Sequence, residues 1–407
     1  MAGVTITALD PRGFGIAPGI APVARVLPGE IVEIDPEKGD ARILVPSPDR
    51  VSAPCRHFRS CGGCAMQHAS DGFVAAWKEG IVRHGLAARG LDAPFREILT
   101  SPPESRRRAT LHGRRTKAGA IVGFHARASE NVVEIPGCRL LHPALIAALP
   151  VLRRMVGAGA SRKGEVDLAL TLTDSGLDLA VTGGRELTGP EAVRMVGLAA
   201  GAFARLTWNG DLLAQDRPPA IRLGPASVAL PPGAFLQATR EGEAALVAAV
   251  EEITRGATRI ADLFAGIGTF ALPLALRAEI HAVEGDAAMT GALDHAWRGT
   301  TGLRRITTET RDLFRRPLLA DELAGFDAAV IDPPRAGAEA QMRELARSRV
   351  PVIAAVSCNP VSFARDAGIL VAGGYRLDRV QVVDQFRWSP HVELVARFSR
   401  AGEIRPA

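Results

Sequence analysis

Short apolar strands alternate with helices through the C-terminal part of the sequence, and this alternation restricts the fold more than any other feature. A helix is predicted over 241–254. Strands are predicted, in chain order, over 259–264, 280–283, 326–331, 352–356, 379–383 and 391–398. Alternating β and α units of this kind are typical of a doubly wound sheet. The fold class predicted for this region is therefore α/β.

The strand predicted over 352–356 is central to this region because it ends in a cysteine. Its short, apolar, β-branched run is typical of a buried parallel strand, and Asn359-Pro360 ends it and opens the next helix. Ligands of open α/β sheets bind at the carboxyl ends of the strands, so Cys358 is predicted to lie at a cleft. A buried structural thiol is the alternative, and position alone favours that alternative.

A glycine-rich turn and two acidic residues indicate the kind of ligand. The segment 262–268 is a strand followed by Gly266 and Gly268, where the backbone can approach a ligand closely. Glu284, at the end of the next strand, can hold both ribose hydroxyls, and Asp312 can accept from an adenine amino group. The full G-x-G-x-x-G pattern of a dinucleotide site is missing, and so is a P-loop. S-adenosylmethionine carries no phosphate, so the combination favours a class I methyltransferase.

Length, composition and charge set wider limits. The chain has 407 residues, which is more than one domain usually holds. It is 47% hydrophobic and 23% charged, as ordinary globular proteins are, and its net charge of +5 favours an anionic partner. The sequence shows no signal peptide at its N-terminus and no apolar run long enough to span a bilayer. We therefore expect a cytoplasmic protein with no membrane partner.

Residues 1–54 are predicted to form a small OB-like β-barrel. Short β-rich pieces alternate here with glycine and proline. The pattern Gly13-x-Gly15 followed by Leu27-Pro28-Gly29-Glu30 resembles a TRAM domain, which is an RNA-binding module. A plain structural barrel is the alternative for this segment.

Four of the five cysteines form a group: Cys55, Cys61, Cys64 and Cys138. The first three have the spacing C-x5-C-x2-C, and the two glycines of the last pair let backbone N–H groups approach inorganic sulfur. Four thiolates suit either an iron–sulfur cluster or a structural zinc ion. Zinc sites usually show two C-x2-C knuckles, whereas this sequence has only one C-x2-C pair. The arrangement therefore favours a 4Fe-4S cluster with a structural role.

Residues 55–228 are interpreted as a central α+β domain that carries the cysteine group. A helix is predicted over 73–89 with one apolar face, and this helix can pack on the catalytic domain. Strand-like alternation follows at 166–172 and 177–181. The stretch 104–117 is a candidate phosphate-binding patch, or else an ordinary solvated face. Its positive residues are Arg106, Arg107, Arg108, Arg114, Arg115 and Lys117.

Several separate motifs resemble the RNA 5-methyluridine methyltransferase family. They are Phe235-x-Gln237, 262–270, Asp332-Pro333-Pro334-Arg335, Ser357-Cys358-Asn359-Pro360 and Asp384-x-Phe386-x-x-Ser389-x-His391-x-Glu393. The resemblance covers nearly the whole chain, and the TRAM-like start and cysteine group are most similar to the branch that acts on 23S ribosomal RNA. Departures from the residues common in the family are Thr239, Ala265, Arg387 and Ser389. None of these departures removes a reacting group.

The resemblance implies a mechanism and a set of site residues. Cys358 would attack C6 of uracil as the nucleophile, and Glu393 would be the general base that removes the C5 proton. The residues implied to bind S-adenosylmethionine are Gln237, Phe264, Thr269, Glu284, Asp312 and Asp332. Asp332 would hydrogen-bond near the pyrimidine or the cofactor, and the target uridine would have to leave its RNA stack.

The predicted protein is thus a monomeric enzyme with three domains. They are a TRAM-like barrel (1–54), the central domain (55–228) and an S-adenosylmethionine-dependent methyltransferase domain (229–407). The expected product is 5-methyluridine in 23S rRNA. Two alternatives stay open, namely the same chemistry on tRNA and a non-catalytic RNA-binding or ribosome assembly factor. The presence of both Cys358 and Glu393 argues against the second alternative.

Overall fold

The computed structural model describes residues 3–35 and 39–400. Its first part has five short strands: β1 (Val4–Thr5), β2 (Ala8–Leu9), β3 (Gly15–Ile16), β4 (Ile31–Ile34) and β5 (Ala41–Val45). Three of them form an antiparallel sheet in the order β1-β4-β5, and β2 pairs with β3. Ile6, Val23, Val26 and Val32 form the small core of this part. The OB-like barrel stays a prediction, since the described strands form two separate sheets.

The next two elements pack with the catalytic sheet. Helix α1 (Asp71–Ala87) buries Val82 and Leu86 in the core of that sheet, which confirms the apolar helix predicted over 73–89. Strand β6 (Phe95–Thr100) is an edge strand of the same sheet. The segment that links the N-terminal and central parts therefore contributes to the catalytic core.

A seven-stranded sheet forms the central part. Its strands are β7 (Arg108–Thr116), β8 (Gly119–His125), β9 (Val132–Glu134), β10 (Glu165–Thr173), β11 (Gly176–Thr182), β12 (Arg205–Trp208) and β13 (Asp211–Gln215). Its helices are α2 (Pro143–Ala147), α3 (Leu149–Gly159) and α4 (Gly189–Ala199). The order is β13-β12-β11-β10-β7-β8-β9, and every pair except β11–β12 is antiparallel. Leu111, Val122 and Leu168 pack in one core with α3, so alternate residues lie on the open face of the sheet.

The catalytic part begins with a hairpin and continues in α/β units. The elements up to β18 are β14 (Ala220–Leu223), β15 (Ala226–Ala229), α5 (Arg240–Ile253), β16 (Arg259–Leu263), α6 (Ala271–Leu274), β17 (Glu279–Glu284), α7 (Ala287–Arg298) and β18 (Ile306–Thr310). The elements that follow are β19 (Ala328–Ile331), α8 (Glu339–Arg347), β20 (Val352–Ser357), α9 (Pro360–Ala372), β21 (Tyr375–Asp384) and β22 (Leu394–Arg400). The sheet order is β18-β17-β16-β19-β20-β22-β21-β6. Strands β16 to β20 are parallel and β22 is antiparallel to both its neighbours, so the predicted α/β class is confirmed.

Two apolar cores cover the two faces of this sheet. Leu246 of α5 and Leu293 of α7 belong to one core, and Leu345 of α8 and Phe363 of α9 belong to the other. The chain changes direction at β16, which lies between β17 and β19, and ligands of such sheets bind beside this switch point. The domain limits given above stay predictions. Within the described residues, no helix is long and apolar enough to cross a membrane.

Candidate active site

Cys358 lies at the carboxyl end of β20, where two turns meet. The side-chain oxygen of Asn359 caps α9 by accepting a backbone hydrogen bond from its first turn at 3.0 Å. The amide nitrogen of Asn359 donates to Arg335 O at 2.8 Å, which ties the cysteine turn to the turn that follows β19. Cys358 is a free, half-buried thiol. Cys358 and Asp332, two predicted site residues, therefore lie at one edge of the sheet.

Glu393 lies at the same edge of the sheet, at the start of a strand that runs antiparallel to β20. It directly precedes β22, which runs antiparallel to β20 and pairs Leu394 with Ser357. Glu393 is 3% exposed, and its Oε2 accepts a hydrogen bond from Gln385 Nε2 at 3.0 Å. The antiparallel strand thus brings the predicted base to the strand end that carries Cys358.

Burial and like charges keep these groups protonated near neutral pH. Burial, and then the charges of Glu393 and Asp332, raise the pKa of Cys358 to about 11, while Arg335 acts in the opposite direction. Burial and the charge of Asp332 raise the pKa of Glu393 well above its usual range, against the hydrogen bond from Gln385. Burial raises the pKa of Asp332 to about 7. The site at neutral pH therefore holds a neutral thiol and a neutral Glu393 carboxyl.

Gln385 is a site residue that the sequence pattern did not identify. Its side chain is 1% exposed and donates to Gln237 Oε1 at 2.6 Å and to Glu393 Oε2 at 3.0 Å. Its own oxygen accepts from Ala238 N–H at 2.6 Å, so every polar atom of the amide is used. One side chain therefore orients the predicted cofactor residue Gln237 relative to the predicted base. The signal available in the sequence is its position inside the 384–393 motif.

The glycine-rich turn after β16 has a left-handed backbone. Phe264, Gly266 and Gly268 have φ angles of +61°, +55° and +95°. A phenylalanine in this region is uncommon, and such backbone conformations concentrate at functional sites. The N–H of Gly266 donates to Glu284 Oε2 at 3.0 Å, which ties the turn to the end of β17. Thr269 is half-buried where the turn leads into α6.

Aromatic and acidic side chains surround this turn. The rings of Phe264 and Phe314 lie 5.3 Å apart at an angle of 58°, and Phe314, which the sequence analysis missed, is 47% exposed. The exposed Asp312, after β18, accepts from Phe314 N–H at 2.9 Å. Asp262 is fully buried, and among the described residues neither of its carboxylate oxygens has a hydrogen-bond partner. Burial and nearby carboxylates raise its pKa well above the usual range. Such an unpaired buried group fits a site that receives a polar ligand.

The four predicted ligand cysteines line one small cavity. Its walls include Cys55, Cys61, Cys64, Cys138, Phe58, Phe124 and Leu140. Gly63 N–H donates to Cys61 Sγ at 3.3 Å, and Leu140 N–H donates to Cys138 Sγ at 3.4 Å. Burial raises the pKa of Cys64 to about 12, and the charges of the other three sulfur atoms act in the same direction. Converging sulfurs with backbone donors fit a bound metal or cluster, and the ligand role stays a prediction.

The positive stretch 104–117 is not a uniform cationic surface. Arg107 is 1% exposed, donates to Glu243 at 2.5 Å and to a backbone carbonyl at 3.0 Å, and so supports the fold. Its interpretation as a phosphate ligand is wrong, because its guanidinium is buried in these contacts. Arg115 and Lys117 are exposed and keep the predicted role open.

Comparison with known proteins adds a family to this fold. A sequence model described as tRNA (uracil-5-)-methyltransferase matches residues 300–400. An RNA methyltransferase of Brucella suis biovar 1 is 43% identical over 400 residues, which is 97% of this chain and 96% of that protein. The 23S rRNA (uracil(1939)-C(5))-methyltransferase RlmD of Chromohalobacter salexigens is 33% identical over 422 residues, which is 97% of this chain and 86% of that protein.

A solved structure shares the whole fold. The crystal structure of Pyrococcus abyssi tRNA (uracil-54, C5)-methyltransferase in complex with S-adenosyl-L-homocysteine has a TM-score of 0.76 and 23% identity, covering 98% of this chain and 99% of that one. The fold and the arrangement of the site thus define a class I methyltransferase. With relatives of this identity and coverage, the chain belongs to the RNA uracil-C5 methyltransferase family, whose enzymes depend on S-adenosylmethionine.

Proposed function

We propose that the enzyme methylates C5 of a uridine in 23S rRNA through a covalent adduct on Cys358. The observation that carries the proposal is the convergence of Cys358, Asp332 and Glu393 at one edge of the sheet. The 33% identity to RlmD over 97% of the chain supports 23S rRNA as the substrate. The alternative substrate is tRNA, which is favoured by the description of the matching family and by the Pyrococcus abyssi structure.

The proposed reaction has four steps, once the uridine has left its stack to reach the thiol. The Cys358 thiol gives its proton to solvent, and the resulting thiolate forms a bond to C6, which converts the C5 side of the ring into an enolate. C5 then takes the methyl group that the sulfonium of S-adenosylmethionine supplies. The Glu393 carboxylate removes the C5 proton. The electron pair released from C5 breaks the C6–S bond and returns the Cys358 thiolate.

The resting site must lose the Cys358 thiol proton before attack on C6, and the Glu393 proton before the C5 proton is removed. While Glu393 and Asp332 are neutral, neither carboxyl opposes formation of the Cys358 thiolate, and Arg335 favours it. The base is needed only after methyl transfer, when Glu393 must be ionised. The Gln385 hydrogen bond favours that ionised form, so Gln385 acts as a positioning residue for the base.

Cofactor binding is proposed for Gln237, Phe264, Thr269, Glu284, Asp312 and Asp332. Glu284 lies at the end of β17 and suits the ribose hydroxyls, while Asp312 follows β18 and suits the adenine amino group. The neighbouring rings of Phe264 and Phe314 offer apolar faces to a flat base. These positions follow the carboxyl ends of three adjacent parallel strands, which is where such sheets bind ligands.

The four cysteines are proposed to hold a 4Fe-4S cluster. Among the described residues, no three cysteine sulfur atoms lie within 4.8 Å of one another. The group that meets this distance is His112, His125 and Glu165. A single zinc ion with bonds of about 2.3 Å would bring its sulfur ligands to about 3.8 Å from each other. A cluster spaces them more widely, because each thiolate binds a different iron atom. Anaerobically purified protein that is colourless and holds stoichiometric zinc would contradict the cluster.

The remaining assignments complete the proposal. Residues 1–54 act as a TRAM-like RNA-binding barrel, 55–228 as the domain that carries the cluster, and 229–407 as the catalytic domain. The net charge of +5 suits an RNA partner. The enzyme is proposed to work as a monomer in the cytoplasm.

Methyl transfer from labelled S-adenosylmethionine to unmodified bulk RNA tests the proposed function. After separation of 23S rRNA, 16S rRNA and tRNA, nucleoside analysis is expected to find 5-methyluridine in the 23S fraction. Label in tRNA alone would keep the chemistry and change the substrate. No label in any fraction, from protein that still binds the cofactor, would contradict the proposal. A Cys358→Ala protein that still methylates RNA would rule out the covalent adduct.

A further inference from the structure

The open face of the central sheet carries a compact group of imidazole and carboxylate side chains. They are His112 on β7, His125 on β8, and Glu165 and Asp167 on β10. The side chains of His112, His125 and Glu165 are 22%, 32% and 21% exposed, so solvent reaches the group. The proposed methyl transfer uses none of these residues.

Strand register brings the four side chains together. His112 lies directly opposite Asp167 on one neighbouring strand and opposite Gly123 on the other. Gly123 cannot carry a side chain, because a Cβ there would lie 1.8 Å from Val133 O. The ring of His125, two residues further along β8, stacks on that of His112 with centroids 3.6 Å apart and planes at 7°. Because position 123 is glycine, no side chain from the residue opposite His112 occupies the space beside its ring.

The ligand atoms of His112, His125 and Glu165 all lie within 4.8 Å of one another, and Asp167 adjoins His112. His112 Nδ1 is 2.8 Å from Asp167 Oδ1 and 3.4 Å from Glu165 Oε1. The same Glu165 oxygen is 2.9 Å from His125 Nε2. Ligand atoms bound tetrahedrally to zinc at about 2.0–2.1 Å are about 3.3 Å apart. The 3.4 Å separation matches that value, whereas the 2.8 Å and 2.9 Å separations are shorter.

Imidazole–carboxylate hydrogen bonds would have similar lengths, and two further features favour a cation. Two stacked rings on different strands direct one nitrogen each to a single oxygen of Glu165. The other oxygen, Oε2, accepts from Arg114 Nε at 2.6 Å. Metal ligands typically have a hydrogen-bond partner on the atom that does not bind the metal, and Arg114 has that role toward Glu165.

We propose that His112, His125 and Glu165, together with the neighbouring aspartate on β10, bind a divalent transition-metal ion. Two imidazoles with carboxylates suit zinc, cobalt or nickel, whereas magnesium and calcium prefer sites built from oxygen alone. The ion joins β7, β8 and β10. Strand β8 leads directly to Ala126, which forms a β-bridge with Cys61, so the ion stabilises the strand that supports the cysteine cavity.

Cobalt(II) titration of the full-length, anaerobically purified protein tests this site, with visible absorption and zinc competition as readouts. We expect one equivalent of cobalt with the d–d bands of nitrogen and oxygen ligands, displaced by zinc. His112→Gln and His125→Gln should each weaken binding by at least about tenfold, since loss of even an outer-shell partner has an effect of that size. The matched control is His281→Gln, which removes another carboxylate-paired histidine, 3.4 Å from Glu309, and should bind cobalt like the wild type.

Thermal unfolding of each variant without cobalt checks that the fold is retained. If a histidine variant unfolds, Asp167→Asn supplies the test, because this side chain is 51% exposed, and binding should again weaken. Strong sulfur-to-cobalt charge-transfer bands with unchanged affinity in both histidine variants would place the ion at the cysteines and overturn the proposal. An absence of binding to the wild type at micromolar cobalt would overturn it equally.

Discussion

Replacing Gln385 by methionine tests how the site holds its base. The variant keeps a long side chain but loses three buried hydrogen bonds, with Gln237, Ala238 and Glu393. Each buried donor or acceptor left without a partner costs about 1–3 kcal/mol. The variant is therefore expected to lose roughly 3 kcal/mol or more of its unfolding free energy.

The same change alters the proton affinity of Glu393. Burial and the charge of Asp332 raise the pKa of this carboxyl, and the Gln385 hydrogen bond lowers it. A hydrogen bond to a charged acceptor exceeds one to a neutral acceptor by about 1 kcal/mol, so its loss raises the pKa of Glu393 further and lowers its ionised fraction about fivefold on the acidic limb. Because the base must be ionised, the acidic limb of the rate profile should move to higher pH. On that limb the rate should fall about fivefold.

The position of the acidic limb is measured by single-turnover methyl transfer to RNA as a function of pH at saturating cofactor. The matched control is Gln381→Met, the same substitution on β21, where the Gln381 amide donates to Glu97 O at 3.0 Å away from the site. The control should keep the wild-type limb. A Gln385→Met enzyme with reduced stability and an unmoved limb would limit Gln385 to support of the fold. Unchanged stability in denaturant would refute the reasoning from buried hydrogen bonds.

Three further changes have defined expected outcomes. Arg335→Gln removes a cation that lowers the pKa of Cys358, so this thiol should be alkylated more slowly below about pH 11. Peptide mass spectrometry measures the alkylation rate, and equal rates in the variant and the wild type would contradict that role. Burial raises the pKa of Asp332 to about 7, so the folded state holds this proton longer than the unfolded chain does. The stability that the protonated Asp332 carboxyl contributes is thus lost as the pH rises from about 4 through about 7. In Asp332→Asn this part of the pH dependence should disappear, which denaturant titrations at both ends of the range measure. Lys78→Met leaves the buried Asp384 carboxylate, 2.5 Å from the lysine nitrogen, without its cationic partner. Chemical denaturation should show a loss of about 3–5 kcal/mol that becomes smaller when Asp384→Leu is added.

The fold was predictable wherever a local pattern decides it. The apolar run 352–356 is a strand in any α/β arrangement, and it forms β20 with one residue more at its end. The role of 95–100 was not predictable in this way. Its residues show no regular alternation of apolar and polar side chains, and its parallel partner β21 lies far along the chain. Strand pairing over such distances depends on the whole sheet and leaves no local trace.

The site was predictable to the same extent. Residues that end strands, such as Cys358 and Glu284, stand beside recognisable turns, so their positions follow from the pattern. Gln385 became visible only once Gln237 and Glu393 were seen on either side of its amide. Arg107 looked like its charged neighbours in sequence, and only the structure shows its contacts with Glu243 of α5 and with the carbonyl of Gln237. Residues that act by joining distant segments are therefore the ones that sequence reasoning missed.

The loop between β21 and β22 shows why such joining residues matter for the proposed reaction. Trp388, with a left-handed φ of +58° and 4% exposure, accepts at its carbonyl from Ala65 N–H at 2.8 Å and from Met66 N–H at 3.1 Å. Those two donors directly follow the C-x2-C pair. The turn of Cys358 is held instead by the turn after β19. A disturbance of the cysteine loop therefore reaches the loop that leads to Glu393 without passing through the nucleophile. Under the proposed mechanism it would impair proton removal from C5 while leaving attack on C6 intact.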